Sequence, residues 1–447
     1  LLRLAWPIIV SRSTQVVVGL ADALMVAHLG EVALASVTTG AMNSFAAFIL
    51  PMGTVFIVSS FVSQHFGRGD LAGARRYALY GLGIAAFTQV LSLAMLPALS
   101  ALLGLVDLAP EVRAGVQGYL TVRLLAGGLV VGLEALAGYY GGQGNTRLPM
   151  VANLVAMVLN IAGNWLLIDG NLGFPALGVR GAAWASVVST GVAFTGLLAF
   201  FLYEGRLRRV PRPRLAWKEL GHMLRIGLPA GFNWFFEFFA FIFFVNVVVA
   251  GLGTRALAAL MAVMQLNSVS FMPAFAVASA GAIIAGQSIG AGAKDEVPHT
   301  MKLTFMVSAA WQLTVGLVYL LLPELAFSPF ARGEDPEGLI AVGAHMLRLS
   351  AAWLLFDSAA TTLAEVLRAA GDTTFTLWAR VALAWLVFVP GSYASVHWLG
   401  GGPTMAMLWL MLYLGGLAAM LWLRFRNGAW RRLELVQSAH QPQGGNV

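Results

Sequence analysis

Twelve runs of roughly 20 or more apolar residues leave this chain few folds to choose from. They lie near 6–28, 43–65, 77–103, 116–142, 148–168, 179–203, 226–250, 258–288, 301–328, 340–368, 374–398 and 403–424. A bilayer's hydrocarbon core has no water to satisfy a backbone amide, so each run reads as a transmembrane helix. Composition agrees. Only 11% of the 447 residues are Asp, Glu, Lys or Arg, against about 25% in a soluble protein, and 59% are hydrophobic. The expected class is an all-α integral membrane protein. The chain begins at Leu1 rather than Met, so a few residues are expected to precede it. Its first run reads as a span rather than a cleavable leader. With no cysteine, disulfides and thiolate metal sites are excluded.

In a soluble protein the net charge of +7 would suggest a nucleic-acid partner; here it reads as basic loops on one side of a membrane. Alternate connections differ sharply in Lys and Arg. The basic set holds Arg68, Arg75, Arg76, Arg147, Lys294, Lys302, Arg368 and Arg380, with Arg424, Arg426, Arg431 and Arg432 in the tail. The central linker adds Arg206, Arg208, Arg209, Arg212, Arg214, Lys218 and Arg225. The other set holds little beyond Arg113, Arg180, Arg255 and Arg332. The positive-inside rule makes the first set cytoplasmic, with both termini inside and an even number of spans. The expected location is a cytoplasmic membrane.

The chain is also written twice. "LLRLAWP" at 1–7 returns as "MLRIGLP" at 223–229, "HLGEVALAS" at 28–36 as "GLGTRALAA" at 251–259, and "SQHFGRG" at 63–69 as "GQSIGAG" at 286–292. "GQGNT" at 142–146 returns as "AAGDT" at 369–373. The offsets stay between 222 and 227 over the whole length, which chance does not produce. Two pseudo-symmetric six-helix lobes are expected, at 1–205 and 221–430, with a linker at 206–220 and a cytoplasmic tail at 431–447. Six helices return the chain to its starting side, so these are parallel repeats, and transporters place their sites where such repeats meet.

Five acids fall inside spans: Asp22, Glu134, Glu237, Asp357 and Glu365. A carboxylate at the bilayer centre costs about 2.5–3.5 kcal/mol on insertion scales, so each needs a reason. One reading makes each a structural partner for a neighbouring helix, with Arg12, Arg123 and Arg348 as available cations. That reading suits Glu365, because Arg368 stands at i+3, and it suits Glu134. Asp22, Glu237 and Asp357 have no opposite charge at i±3 or i±4. An unpaired carboxylate in low dielectric is satisfied by a proton or a metal cation, the choice that ion-coupled transport requires. Glu237 sits in "FNWFFEFFAFIFF", and its expected answer to those phenylalanines is a visiting cation.

Asn153, Asn160 and Asn164 stand at spacings of seven and four and share one helix face, as cation-binding oxygens or as interhelical glue. Trp353, Asp357 and Thr361 step by four; a flat ring beside an acid suits an organic cation as well as plain packing. "GQSIG" at 286–290 matches G-x-S-x-G, but that elbow needs a strand before it and here an apolar run precedes it. No H-E-x-x-H or P-loop occurs, so no catalytic residue is assigned and an enzyme is not expected.

Several stretches together resemble the multidrug and toxic compound extrusion (MATE) transporters, nearer the bacterial NorM-like branch. They are "LADALMVAHLG", "FVSQHFGRGD", "LNIAGNWLLIDG", "GLPAGFNWFFEFF", "IIAGQSIGAG" and "LLFDSAATTLAEVLRAAGDT", and the likeness covers nearly the whole chain. The resemblance implies a V-shaped pair of lobes, alternating access, and export of organic cations in exchange for Na+ or H+, without a cofactor and as a monomer. It assigns cation coupling to Asp22, Glu237, Asp357, Asn160 and Asn164, with Glu237 and Asp357 as a candidate Na+ site. Substrate contacts are expected at Asp22, Trp353, Asp357, Asn153 and Trp234. Two positions depart from the family pattern. Asn164 stands where archaeal-type members carry an aspartate, which weighs against a purely proton-driven first lobe. Trp353 stands where NorM-like members tend to carry a tyrosine, which weighs against a sodium site built on that hydroxyl. The alternatives are a lipid or polysaccharide-precursor flippase of the same architecture, a membrane-embedded enzyme, and a channel or receptor.

Overall fold

A computed structural model describes residues 1–106, 108–209, 215–330 and 335–436. Twelve helices among these are long and apolar enough to span a membrane. They are α1 (Leu2–Ala27), α2 (Glu31–Gly67), α3 (Leu71–Gly104), α4 (Pro110–Gly142), α5 (Arg147–Asp169) and α6 (Val179–Leu207) in the first half. The second half has α7 (Trp217–Leu252), α8 (Thr254–Gly290), α9 (Lys294–Leu321), α10 (Pro336–Ala369), α11 (Thr373–His397) and α12 (Pro403–Arg426). Ends follow local chemistry. Asp70 caps α3 by accepting from the Gly73 amide at 2.8 Å, and Asp335 caps α10 from Gly338 at 2.9 Å. Leu20, Phe87, Val90 and Leu412 stay more than half exposed, as lipid-facing side chains do.

In lipid the hydrophobic effect does not draw helices together, so close packing of small residues has to. Helix α8 shows this in the buried run "AFAVASAGAIIAG", where Ala and Gly let α9 and α10 approach from its own half and α1 and α2 from the other. Helices α2 and α7 also cross between halves at a glycine pair: a Cβ on Gly53 would fall 2.8 Å from Gly231 Cα.

The halves are clamped at the end that carries Leu1, Arg209, Leu215 and Val436, called here the linker face. Gln64 Nε2 donates to the Ala369 carbonyl at 2.8 Å, and Gln287 Nε2 donates to the Gly142 carbonyl at 2.9 Å. Gln64 and Gln287 are repeat counterparts, and so are Gly142 and Ala369, so the clamp is reciprocal. "GQSIG" is thus the end of a helix that seals the halves, with no strand before it. Deeper in, Arg368 Nη1 donates across the boundary to Ser60 Oγ at 2.8 Å and to the Phe56 carbonyl at 3.2 Å. Among the described residues, every hydrogen bond between the halves lies on the linker side of the molecule.

Two expected boundaries move. Helix α7 starts at Trp217, inside the expected linker, because Glu219 bonds Arg76 at 2.5 Å and Tyr80 at 3.2 Å and fastens that end to the first half. Linker residues 210–214, with Arg212 and Arg214, and Arg332 lie outside the described residues. The expected tail is docked over its described part. Leu435 and Val436 are 1% and 5% exposed, and their carbonyls accept from His222 and Arg68 at 2.9 Å each. Residues 437–447 lie outside the described residues.

Candidate functional site

Beyond the clamp a cavity of about 430 Å³ lies between the halves. Its apolar lining includes Phe45, Trp234, Phe238, Phe241 and Phe275; its charged lining is Arg12, Glu237, Asp357, Glu365 and Arg380. Two of those charges are spent within the protein. Arg12 pairs with Glu134 at 2.8 Å, and Glu365 pairs with Arg368 at 2.6 Å one helical turn away. That leaves two carboxylates and one guanidinium facing the cavity.

The guanidinium corrects the sequence reading of Glu237. Arg380 was counted among connection charges, yet α11 begins at Thr373, so Arg380 lies two turns inside the bundle. It forms an ion pair with Glu237, its side chain 11% exposed against 42% for the glutamate. Glu237 therefore has a resident cation, reached from another helix and so invisible to an i±3 or i±4 search. The same pairing argues against a metal held by Glu237 and Asp357 together, since the guanidinium already neutralises one of them. Asp357 accepts from Gln312 Nε2 at 3.2 Å and has no cation of its own among the salt bridges of the described residues.

The first half holds a separate polar cluster. Asp22, 6% exposed on α1, accepts from Asn164 Nδ2 at 2.6 Å and from Ser186 Oγ at 3.4 Å. Asn160 Nδ2 donates to Ser186 Oγ at 3.1 Å, and Asn164 Nδ2 also reaches Asn160 Oδ1 at 3.3 Å. Helix α5 thus presents both amides to α1, and α6 closes the cluster with a hydroxyl. Asn164 Oδ1 is buried without a hydrogen-bond partner. A carboxylate, two amide oxygens and a hydroxyl form a donor set suited to a hard monovalent cation, and a proton on Asp22 would serve the same charge.

Other expected contacts fall elsewhere. Trp234 and Asp357 line the interhalf cavity, whereas Asp22, Trp353 and Asn153 do not. Asp22 is too far up α1 and faces α5. Asn153 shares its helix face with Asn160 but lies two turns lower, where it donates to Ser11 Oγ at 2.7 Å. Trp353 is 4% exposed and lines a chamber inside the second half. Sequence reasoning missed Ser186, Gln312 and Arg380. The first two are single polar residues on apolar helices, a pattern that also describes ordinary packing.

The family model described as MatE matches residues 7–166 and 229–394. The chain is 30% identical over 448 residues to a probable multidrug resistance protein NorM of Pseudomonas putida, covering 98% of this chain and 96% of the relative. It is 27% identical to multidrug resistance protein PmpM of Pseudomonas aeruginosa, covering 96% and 91%. Among solved structures it superposes on an outward-facing multidrug resistance MATE transporter with a TM-score of 0.84 at 21% identity, covering 96% of each chain. A Pyrococcus furiosus transporter, whose description stresses a binding pocket of reverse polarity, superposes at 0.83 and 20% identity with the same coverage.

Proposed function

This chain belongs to the MatE family as a NorM-like multidrug efflux transporter, and from that premise we propose an antiporter that exports organic cations in exchange for Na+ or H+ by alternating access. The observation that carries the proposal is the interhalf cavity, where aromatic walls surround two carboxylates and one guanidinium. The excess of one negative charge favours a monovalent cation, and the phenylalanines supply faces for its apolar body. A flippase for anionic lipid carriers needs free basic groups, and both guanidiniums in this cavity are held by carboxylates. Pocket polarity is the property that separates these readings, because the fold is shared.

In this proposal the linker face is cytoplasmic, since the Lys and Arg excess lies there. The reciprocal clamp then closes the inner gate, and the structure corresponds to the outward-facing state. The coupling cation binds at Asp22, Asn160, Asn164 and Ser186, where Asp22 forms no salt bridge among the described residues. Asp357 and Trp234 contact substrate in the interhalf cavity. The test is uptake of a fluorescent organic cation into inverted vesicles, driven separately by sodium and pH gradients. Uptake under one or both gradients supports the proposal; uptake under neither overturns it.

A further inference from the structure

Behind Glu237 and Asp357 the second half holds a half-open chamber of about 420 Å³, and these two acids stand in the wall it shares with the interhalf cavity. Its other walls are apolar and aromatic, formed by Phe241, Met264, Phe271, Trp353 and Phe388. Three polar side chains interrupt them, of which Ser268 is satisfied by donating to the Gln265 carbonyl at 2.7 Å. Asn267 of α8 is 9% exposed, and neither Nδ2 nor Oδ1 of its amide finds a hydrogen-bond partner. Tyr413 of α12 is 7% exposed, and its hydroxyl lies against the Arg380 guanidinium. A buried amide with neither atom satisfied is rare, because leaving it so opposes folding.

The backbone is unusual at the same place. Helices α7 and α11 both widen into π-helix, at Phe244–Val249 and Ala382–Phe388. Ala384 and Phe388 of the second segment line the chamber, and Phe244 of the first packs on Phe388 with ring centroids 5.0 Å apart. Such segments are uncommon and gather at functional sites.

We propose that this chamber is a substrate subsite, one that takes the flat aromatic body of an organic cation bearing hydrogen-bonding groups. The cation's charge sits at Asp357, its rings lie among Trp353, Phe271 and Phe388, and its polar edge meets Asn267 and Tyr413. Asn267 offers a donor and an acceptor side by side, and the Tyr413 hydroxyl, its oxygen facing Arg380, adds a donor, so the pair reads ring amines, amides and similar edges. A cation without such groups gains nothing from them. The inference rests on the export reading and names a substrate class for it.

The experiment compares ethidium, whose rings carry amino groups, with tetraphenylphosphonium, which has no hydrogen-bonding group, using the full chain in detergent. Asn267→Leu should weaken ethidium binding about tenfold, the weight of one or two hydrogen bonds, and leave tetraphenylphosphonium unchanged. The ligand-free protein should be at least as heat-stable as the wild type, since two unpaired polar atoms have been removed. A structural asparagine predicts the reverse, with lower stability and equal losses for both cations, and that result overturns the subsite. As the natural chain has no cysteine, Asn267→Cys gives a single thiol to follow. It should react with a small cationic thiol reagent and be protected by ethidium; no reaction, or no protection, also overturns it. If the wild type binds neither cation, the export reading fails first. If it binds both and the variants match it, the chamber alone is wrong.

Discussion

Glu237 on α7 and Arg380 on α11 form an ion pair inside the bundle, with the arginine buried and the glutamate turned to the cavity. The pair joins helices that otherwise share hydrogen bonds from Thr373, Trp385 and His397 of α11 to backbone carbonyls of α7, and the partners are unequal. Removing the glutamate strands a buried guanidinium, whereas removing the arginine leaves a carboxylate that cavity water reaches. Glu237→Gln should therefore cost about 3–5 kcal/mol of stability and Arg380→Gln less. The double variant should recover most of the loss. Unfolding midpoints in one detergent measure all three, and strictly additive costs would show that the two residues do not act as a pair.

The reciprocal glutamine clamp sets how firmly the linker face is sealed. Each bond contributes about 1 kcal/mol, so Gln64→Ala or Gln287→Ala should shift the equilibrium toward an open linker face by about fivefold. Ser60, 2% exposed beneath the clamp, is the reporter position. A Ser60→Cys thiol should react faster with a water-soluble reagent once either glutamine is removed. Equal rates with and without the glutamines would mean that backbone packing alone holds the face shut.

Leu435 fixes the chain's last described turn to the rest of the protein. It is 1% exposed in a cluster of first-half side chains and Met223, and burying a leucine contributes about 1.5–3 kcal/mol. Leu435→Asp should undock the segment, and trypsin should then cut at Arg431 or Arg432 at least about tenfold faster than in the wild type. An unchanged cleavage rate would place the anchoring in the Arg431–Asp295 pair at 2.5 Å and the Lys294 bond to the Arg431 carbonyl at 2.7 Å instead.

The twelve spans and the duplication were legible because bilayer thickness and loop charge constrain a sequence more tightly than any side-chain contact does. Asp22, Asn160 and Asn164 were legible for a related reason, since polar residues in hydrocarbon are costly and stand out. Arg380 was misplaced by the same logic. An arginine near the end of an apolar run looks like a loop charge, and only the start of α11 at Thr373 shows it to be inside. Asn267 drew no notice, for one amide on a long apolar helix is a common packing residue. What marks it is that its partners are absent, a fact of three dimensions.

The first-half cluster gives the sharpest test of coupling. Asp22 forms no salt bridge among the described residues; amide and hydroxyl groups at 2.6 and 3.4 Å and the charge of Arg123 are what stabilise its carboxylate. Asp22→Asn keeps the shape and removes the charge, and gradient-driven export should fall to background while the protein stays folded and still binds organic cation in the second half. Asn164→Asp does the opposite. It sets a second carboxylate against the first, and two like charges at that spacing share a proton rather than both ionise. Export by this variant should become more dependent on the pH gradient and less on sodium. Vesicle uptake under each gradient separates these outcomes. Wild-type export by Asp22→Asn would remove the cluster from the coupling mechanism, leaving Asp357, the cavity acid without an arginine, as the residue on which exchange depends.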